Sequence, residues 1–469
     1  MIDIPQKKQR QFLPESFKVE AWEQVKPFFD ELKNRQFNNV SELEKWLLDL
    51  SEVEAVLEED MAWRYIRMNI DTNDKELSES FNFFVSEIQP NIAPYHHELN
   101  KKLIESPFIE MLDKEKYFIY LRSVKNEIEI FREENIPLFT KLQQEEQKYG
   151  AICAQMSVTI YGEEMTLPKA ASLLKEPDRA IREEAYLKIN QRRLEDKEKL
   201  DILFNELINL RTRIAKNAGF ENYRDYKFAE LGRFDYTLKD CLDFHESIES
   251  AIVPLINKID LEKKQLLKVD EFKPWDNDVD PENKAALKPF KTGEELINKS
   301  IKCFNRVEPY FGQCLLIMKQ MGYLDLESKK GKAPGGFNYP LYEIGVPFIY
   351  MNAVGSFRDM VTMVHEGGHA VHSFLSRDLE ITAFKNVPSE VAELASMSME
   401  LISMEYWDEF FENEEDLKRA KREQLENVLE ALPWIALIDK FQHWIYENTG
   451  HTIEERTQEW LSLHNTLAS

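Results

Sequence analysis

Glycine and cysteine are scarce in this chain of 469 residues, and long apolar runs are absent. The four cysteines, Cys153, Cys241, Cys303 and Cys314, form no Cys-x-x-Cys pair. This spacing excludes a dense disulfide framework and favours reduced thiols in a cytosolic protein. No stretch of about 18 consecutive apolar residues occurs, so the sequence predicts no membrane-spanning helix.

Positive charge is also in short supply. The chain has 60 Lys and Arg against 85 Asp and Glu, a formal net charge of -25. Nucleic acid and anionic membranes require a basic face, so neither is expected as a partner. The charged N-terminus, Met1 to Arg10, is not followed by an apolar segment, so we predict no secretion signal and a cytoplasmic location. The sequence does not indicate an oligomeric state.

The distribution of the 15 glycines indicates the fold class. Nine of them fall between Gly312 and Gly368, which leaves the rest of the chain poor in glycine and predicts an all-α protein. A few short strands are expected: a hairpin from Ser157 to Leu167, and a strand over 347–351 beside the candidate site. Ser41 to Glu44 reads as a capping box that starts a helix.

The main functional pattern is His365-Glu366-Gly367-Gly368-His369. Residues four apart on a helix lie about 40° apart around the axis, so the two imidazoles can reach one zinc ion. Glu366 is the candidate general base, close enough to hold a water on the metal without being a ligand. Each of the two glycines costs about 1 kcal/mol in a helix relative to alanine, so their presence requires a reason such as close packing.

The helix that carries this pattern has a predicted start. Ser356 and Asp359 read as a capping box, with Gly355 just outside it. His372 lies on the same face but about 10 Å along the axis from His365, too far to share a metal easily. We therefore expect His372 to pack beside the site or to support a ligand.

Acidic candidates for a third ligand follow on a second predicted helix, opened by Pro388 or Ser389. Glu390, Glu393 and Glu400 fall within one broad face of it. A catalytic zinc usually has three protein ligands, and spacing alone does not separate Glu390 from Glu393. Glu400 is a candidate to bind the spare nitrogen of a ligand histidine.

These motifs are similar to a known family. The run from His365 to Phe374, followed by 391–396 and a later glutamate, resembles the oligoendopeptidase F branch of the thimet-oligopeptidase family of zinc metallopeptidases. The runs 274–276, 330–337, 345–352 and 441–446 resemble the same family. The matches extend from about residue 200 to the end of the chain.

The resemblance implies a site and a substrate class. It implies one zinc ion per chain, bound by His365, His369 and Glu393, with Glu366 as the catalytic base and Glu390 as a neighbour. It also implies oligopeptide substrates and a bilobed helical fold with a deep substrate channel.

The glycine-rich segment before the metal helix is the predicted substrate-binding region. Pro347 suits an edge strand, and a strand edge beside a metal can bind an extended peptide through main-chain hydrogen bonds. In the family this region lines the channel. The residues predicted to contact substrate are Gly335, Gly336, Phe337, Ile349, Tyr350, Met351 and Asn352.

The preferred interpretation is a zinc metalloendopeptidase that hydrolyses internal bonds of short oligopeptides through a zinc-activated water. We predict a helical N-terminal lobe over 1–110 and a catalytic lobe over 111–469. Relatives continue beyond the point where this chain stops, with tyrosines and a histidine that bind the substrate carbonyl. Two alternatives are a helical zinc carboxypeptidase, which needs a basic residue for the terminal carboxylate, and a truncated zinc-containing peptide-binding protein with little or no catalysis.

Overall fold

The computed structural model describes residues 3–282, 284–329 and 331–467, most of which are helical. Lys330, which begins one of the family-like runs, lies outside the described residues. The predicted all-α class with a few short strands is confirmed. Every helix in the described part of the chain is too short or too polar to cross a lipid bilayer.

Contacts divide the chain into two compact units. Unit 1 comprises Met1–Phe131 and Lys288–Arg419, and unit 2 comprises Arg132–Leu287 and Ala420–Ser469. Each unit is assembled from two separated stretches, so a single sequence boundary does not describe this grouping. The division into 1–110 and 111–469 stays a prediction.

The elements are numbered in chain order. The α-helices are α1 (Trp22–Asn34), α2 (Val40–Ile70), α3 (Lys75–Phe83), α4 (Gln89–Ile104), α5 (Lys114–Ile130), α6 (Ile136–Ala154), α7 (Leu167–Ala171), α8 (Arg179–Glu195), α9 (Lys197–Asn217), α10 (Tyr223–Glu230), α11 (Leu238–Ala251), α12 (Val253–Leu267), α13 (Gly293–Val307), α14 (Pro309–Met321), α15 (Phe357–Ser376), α16 (Ser389–Ser403), α17 (Glu414–Glu447) and α18 (Ile453–Leu467). The strands are β1 (Ser157–Ile160), β2 (Glu163–Thr166), β3 (Leu324–Glu327), β4 (Phe337–Tyr339) and β5 (Phe348–Ala353).

The start of α2 differs from the prediction. The Asn39 side chain accepts a hydrogen bond from the backbone N–H of Glu42 at 2.9 Å, so the helix begins at Val40. The predicted capping box at Ser41 is therefore wrong, because asparagine is as good an N-cap as serine and occurs two residues earlier. The apolar stripe that follows on α2 is buried, and it joins the core of unit 1 through Trp46, Leu47 and Leu50.

The predicted hairpin over 157–167 is confirmed. β1 and β2 pair antiparallel from Ser157 opposite Thr166 to Ile160 opposite Glu163. Tyr161 and Gly162 connect them with φ values of 53° and 79°. Positive φ at both central residues matches the twist of a two-residue hairpin turn.

The second sheet lies directly before α15, and its strand order is β3-β5-β4. β3 runs parallel to β5, and β4 runs antiparallel to it. β5 is therefore the central strand, and the prediction that the strand over 347–351 forms an edge is wrong. Its first four residues are all buried, a pattern typical of a central strand, and Pro347 precedes the strand without removing a ladder hydrogen bond.

Unit 2 has its own apolar contacts. α11, α17 and α18 share a buried cluster of Ile248, Ala436, Leu437, Leu463 and Leu467. This cluster fixes how α11 packs against the middle of α17.

Two carboxyl groups of α2 have raised pKa values. Burial raises the pKa of Glu54 to about 8 and that of Glu58 to about 7. His96 Nε2 lies 3.8 Å from Glu54 Oε1, and burial lowers the pKa of His96 to about 4. At pH 6 both partners are therefore uncharged. His97 instead stacks on Phe131, with ring centroids 4.0 Å apart.

We expect the stability of a Glu54→Gln variant, relative to the parent, to increase with pH. Because the folded-state pKa of Glu54 lies above its unfolded value, ionisation costs stability as the pH rises from about 5 through 8. Glutamine does not ionise. The side chain keeps 21% exposure, so we expect a change of about 1–2 kcal/mol between pH 5 and pH 9. Urea denaturation at each pH measures it, with exposed Glu129→Gln as control. A difference that does not vary with pH would contradict the prediction.

Candidate functional site

The helix that carries the metal motif begins where the sequence predicts. Ser356 Oγ accepts from the backbone N–H of Asp359 at 3.2 Å, and Asp359 Oδ2 accepts from that of Ser356 at 2.9 Å. α15 then runs without interruption to Ser376. His365 and His369 consequently lie one turn apart on the same helix face.

Gly367 and Gly368 allow α15 to pack closely on two other helices. A Cβ at Gly368 would lie 2.8 Å from Ser396 Cα and 2.9 Å from Met399 Cβ, both on α16. A Cβ at Gly367 would lie 2.7 Å from the ring of Phe304 on α13. Both glycines are thus explained by packing, and Gly368 in particular lets the α16 backbone approach.

This approach brings Glu393 of α16 to the two histidines of α15. His365 Nε2 lies 3.3 Å from Glu393 Oε2, and His369 Nε2 lies 3.6 Å from Glu393 Oε1. Ligands about 2.0–2.1 Å from a tetrahedral zinc are separated by about 3.3–3.4 Å, so this donor set fits zinc. Among the described residues this metal-binding group contains Glu393 and not Glu390.

Two further contacts orient the donors. Glu400 Oε1 lies 2.6 Å from His365 Nδ1, the nitrogen that faces away from Glu393. Ser396 Oγ lies 3.1 Å from Glu393 Oε2 and can donate to it. Burial lowers the pKa of His365, but Glu400, Glu366 and Glu393 outweigh it and raise that pKa overall. With Nδ1–H donated to Glu400, Nε2 keeps the lone pair needed to bind a metal.

Glu366 is nearly enclosed, with 7% of its surface exposed. Burial raises its pKa to about 7, with His365 opposing and Glu393 adding to the rise. Its backbone carbonyl accepts a hydrogen bond from the Asn338 side chain at 3.4 Å, which ties β4 to the motif helix. The sequence did not lead us to predict a role for Asn338. Its position as a polar residue between the aromatic residues Phe337 and Tyr339 was the only indication.

The structure separates the predicted substrate-binding residues into two groups. Gly335 and Gly336 are exposed and Phe337 is half-buried, at the start of the edge strand β4. Ile349, Tyr350 and Met351 are buried in the central strand β5. Contact with substrate through an open edge is therefore not supported for these three residues, because β3 pairs with one edge of β5 and β4 with the other.

Asn352 and a residue missed by the sequence analysis hold the glycine-rich segment in place. The Asn352 amide donates to the carbonyls of Ala333 at 2.6 Å and Gly335 at 2.9 Å. The buried ammonium of Lys332 bonds Asp325 Oδ1 at 2.7 Å and the carbonyl of Met351. The segment is thus anchored to the sheet before it enters β4.

A pocket of about 380 Å³ lies beside His369. Its lining includes the side chains of Asn338, Tyr342, His372, Arg377 and Lys385. His372 is therefore a pocket residue and is not part of the donor group. Burial lowers the pKa of Lys385, and the positive charges of Lys8 and Arg377 lower it further.

Comparison with known families and curated proteins gives consistent matches. Residues 172–469 match the model described as Peptidase family M3, and residues 12–131 match the Peptidase M3 N-terminal domain. Oligopeptidase PepF of Bacillus subtilis is 26% identical over 194 residues, covering 41% of this chain and 28% of that protein. An Oligoendopeptidase F homolog of Borreliella burgdorferi is 26% identical over 281 residues, covering 58% of this chain and 46% of the relative. The matched part thus spans less than half of either relative.

Solved structures match over most of the chain. PZ peptidase A, determined with an inhibitor, superposes with a TM-score of 0.90 at 26% identity, covering 97% of this chain and 81% of that one. A protein of Bacillus anthracis str. Ames, provisionally assigned as oligoendopeptidase F, superposes with a TM-score of 0.89 at 25% identity, covering 97% and 83%.

We expect Gly368→Ala to weaken zinc binding on the order of 10–100-fold, the usual size for a disturbed ligand support. The new methyl group meets the α16 backbone, which cannot rotate away, so Glu393 must move. Gly367→Ala is a matched control. It brings the same gain in helix propensity but meets the buried ring of Phe304 on α13, not the α16 backbone that carries Glu393. Competition with a chromophoric chelator measures both affinities, and equal values for the two variants would refute this account of Gly368.

Proposed function

Because the chain belongs to peptidase family M3, we propose that it is a zinc metalloendopeptidase that hydrolyses internal bonds of short oligopeptides. The resemblance to the oligoendopeptidase F branch that the sequence predicts is confirmed by the relatives. The observation that carries the proposal is the donor group of His365, His369 and Glu393, which two helices bring together with Glu366 beside it.

His365, His369 and Glu393 would hold the zinc ion. Two imidazoles and one carboxylate are a donor set of catalytic zinc sites, which leave one position for water or substrate. When bound, zinc supplies Lewis acidity that makes water a nucleophile near neutral pH and polarises the scissile carbonyl. Glu400 would keep His365 in the tautomer whose Nε2 lone pair faces the ion.

Glu366 would move the proton. Its carboxylate accepts a proton from the attacking water and later delivers it to the nitrogen of the leaving amine as the C–N bond breaks. A carboxyl group with a pKa raised to about 7 by burial can act in both directions near neutral pH.

The edge strand β4 would orient the substrate. β5 pairs with one side of β4, and among the described strands none pairs with the other side. An extended peptide can add to such an edge through main-chain hydrogen bonds. Because Asn338 ties β4 to the carbonyl of Glu366, a peptide bound there would lie beside the general base.

Three substitutions separate the roles of the acidic residues. We expect Glu366→Gln to retain zinc and lose turnover of a quenched fluorescent peptide of about eight residues by at least 10²-fold, because the general base is removed. Glu393→Gln should lose zinc and turnover together, because a ligand is removed. Glu390→Gln, one turn earlier on α16, should retain both and is the matched control.

Zinc content and initial rates are measured on the same preparations. Full zinc with no turnover in the parent chain would contradict the proposal and indicate a peptide-binding protein. Zinc loss on replacing Glu390 but not Glu393 would contradict the ligand assignment.

A zinc carboxypeptidase is a second candidate, because the pocket beside His369 contains two basic residues. Arg377 and Lys385 line it, and either could bind the terminal carboxylate of a peptide. Arg377 is within 3.4 Å of the backbone carbonyls of Gln6 and Ile344. No ion pair involves Lys385 among the described residues.

Amidation of the substrate C-terminus distinguishes the two activities. For an endopeptidase we expect kcat/KM to change only a few-fold, because the scissile bond lies away from the terminus. Recognition by Lys385 would instead make amidation cost on the order of 10²-fold or more, since the half-buried ammonium would lose the carboxylate paired with it. Mass spectrometry of the products of both peptides is the measurement. Loss of that sensitivity in Lys385→Gln would assign the effect to this residue, and strong sensitivity in the parent would overturn the endopeptidase proposal.

A further inference from the structure

Unit 2 contains a second group of metal-ligating side chains, which the sequence analysis did not identify. Cys241 and His245 lie four residues apart on α11, and Asp439 and His443 lie four residues apart on α17. In each pair the four-residue spacing puts both side chains on one helix face. The two faces meet, since His245 Nε2 lies 2.7 Å from Asp439 Oδ2.

The donor atoms are close enough to share one ion. His443 Nε2 lies 3.3 Å from the same Asp439 oxygen, the separation of two ligands on a tetrahedral zinc. One ligand atom each of Cys241, Asp439 and His443 lie within 4.8 Å of one another. His245 reaches the group through Asp439, and the two imidazole rings are 5.7 Å apart, nearly perpendicular.

Both histidines carry an unsatisfied nitrogen. His245 is 1% exposed and His443 is 5% exposed. The Nδ1 atom of each is buried and has no hydrogen-bond partner among the described residues. Each ring presents Nε2 to Asp439, and Nε2 of His443 is the nitrogen placed to bind an ion. Hydrogen bonds among the described residues therefore leave one nitrogen of each ring unpaired.

The two helices are fixed on either side of the group, and solvent can reach it. Ile248 follows His245 by three residues and Ala436 precedes Asp439 by three, and both belong to the buried cluster shared by α11, α17 and α18. Cys241 is half-buried and the Asp439 side chain is 38% exposed. An ion can thus enter without the helices separating.

We propose that Cys241, Asp439 and His443 form a second metal site that binds a divalent transition ion such as zinc, with His245 hydrogen-bonded to Asp439 and holding that carboxylate in place. A thiolate, an imidazole and a carboxylate suit zinc or cobalt, whereas magnesium and calcium take oxygen ligands. The ion links α11 to α17, whether or not the group on α15 and α16 is catalytic.

Cobalt titration of a His365→Ala/His369→Ala chain tests the site, because this variant lacks the first donor group. We expect one Co²⁺ per chain, tetrahedral d–d bands and a thiolate-to-cobalt charge-transfer band in the near ultraviolet. Cys241→Ser in that background should abolish the charge-transfer band and weaken binding at least tenfold. His443→Gln should also weaken it. Cys153→Ser, which replaces another half-buried cysteine of unit 2, should change neither.

The parent chain provides a second measurement that does not depend on the double variant. Cys241→Ser should lower its cobalt content by one ion per chain while circular dichroism stays unchanged. An unchanged cobalt content in that variant, no cobalt in the double variant, or a charge-transfer band that survives Cys241→Ser would each overturn the proposal. The four side chains would then form a hydrogen-bonded cluster only.

Discussion

The close approach of α15 and α16 at Gly368 is the constraint on which the candidate active site depends. Two of the candidate zinc donors come from one helix and the third from another, so the distance between the helix backbones sets the distance between the donors. With a Cβ 2.8 Å from Ser396 Cα, the helices could not lie as they do. Glycine within a helix costs free energy. At this position it permits the close contact through which the carboxylate of Glu393 reaches both imidazoles.

The two candidate metal groups share one architecture. In each, two ligands four residues apart on one helix are completed by a third from a second helix: His365 and His369 by Glu393, and Asp439 and His443 by Cys241. They differ in the chemistry of the donors. The first group combines two imidazoles with a carboxylate, a set found in catalytic zinc sites, whereas the second contains a thiolate, which is common in structural zinc sites.

Local features of the fold could be predicted from the sequence, and long-range ones could not. The cap at Ser356 and the face shared by the histidines of α15 depend on residues within two turns, so spacing sufficed. Strand order did not follow from spacing, because β3 and β4 both precede β5 in the chain and yet pair with opposite edges of it. The choice of Glu393 over Glu390 required the family resemblance, since both lie on one helix face. Cys241 and Asp439 are almost 200 residues apart, so their proximity could not be predicted from the sequence. The only indication was that each is followed four residues later by a histidine.

The shortness of β4 has a consequence for which chains the protein could degrade. β4 has only three residues, Phe337 to Tyr339, so its open edge offers few main-chain groups. In a folded protein the main-chain groups already form hydrogen bonds within the protein. Such a protein would have to unfold locally before it could bind to this edge. A fragment released by another protease has no such pairing to lose. For the proposed oligopeptidase, the few main-chain groups of β4 would therefore favour unstructured peptide fragments over intact folded proteins.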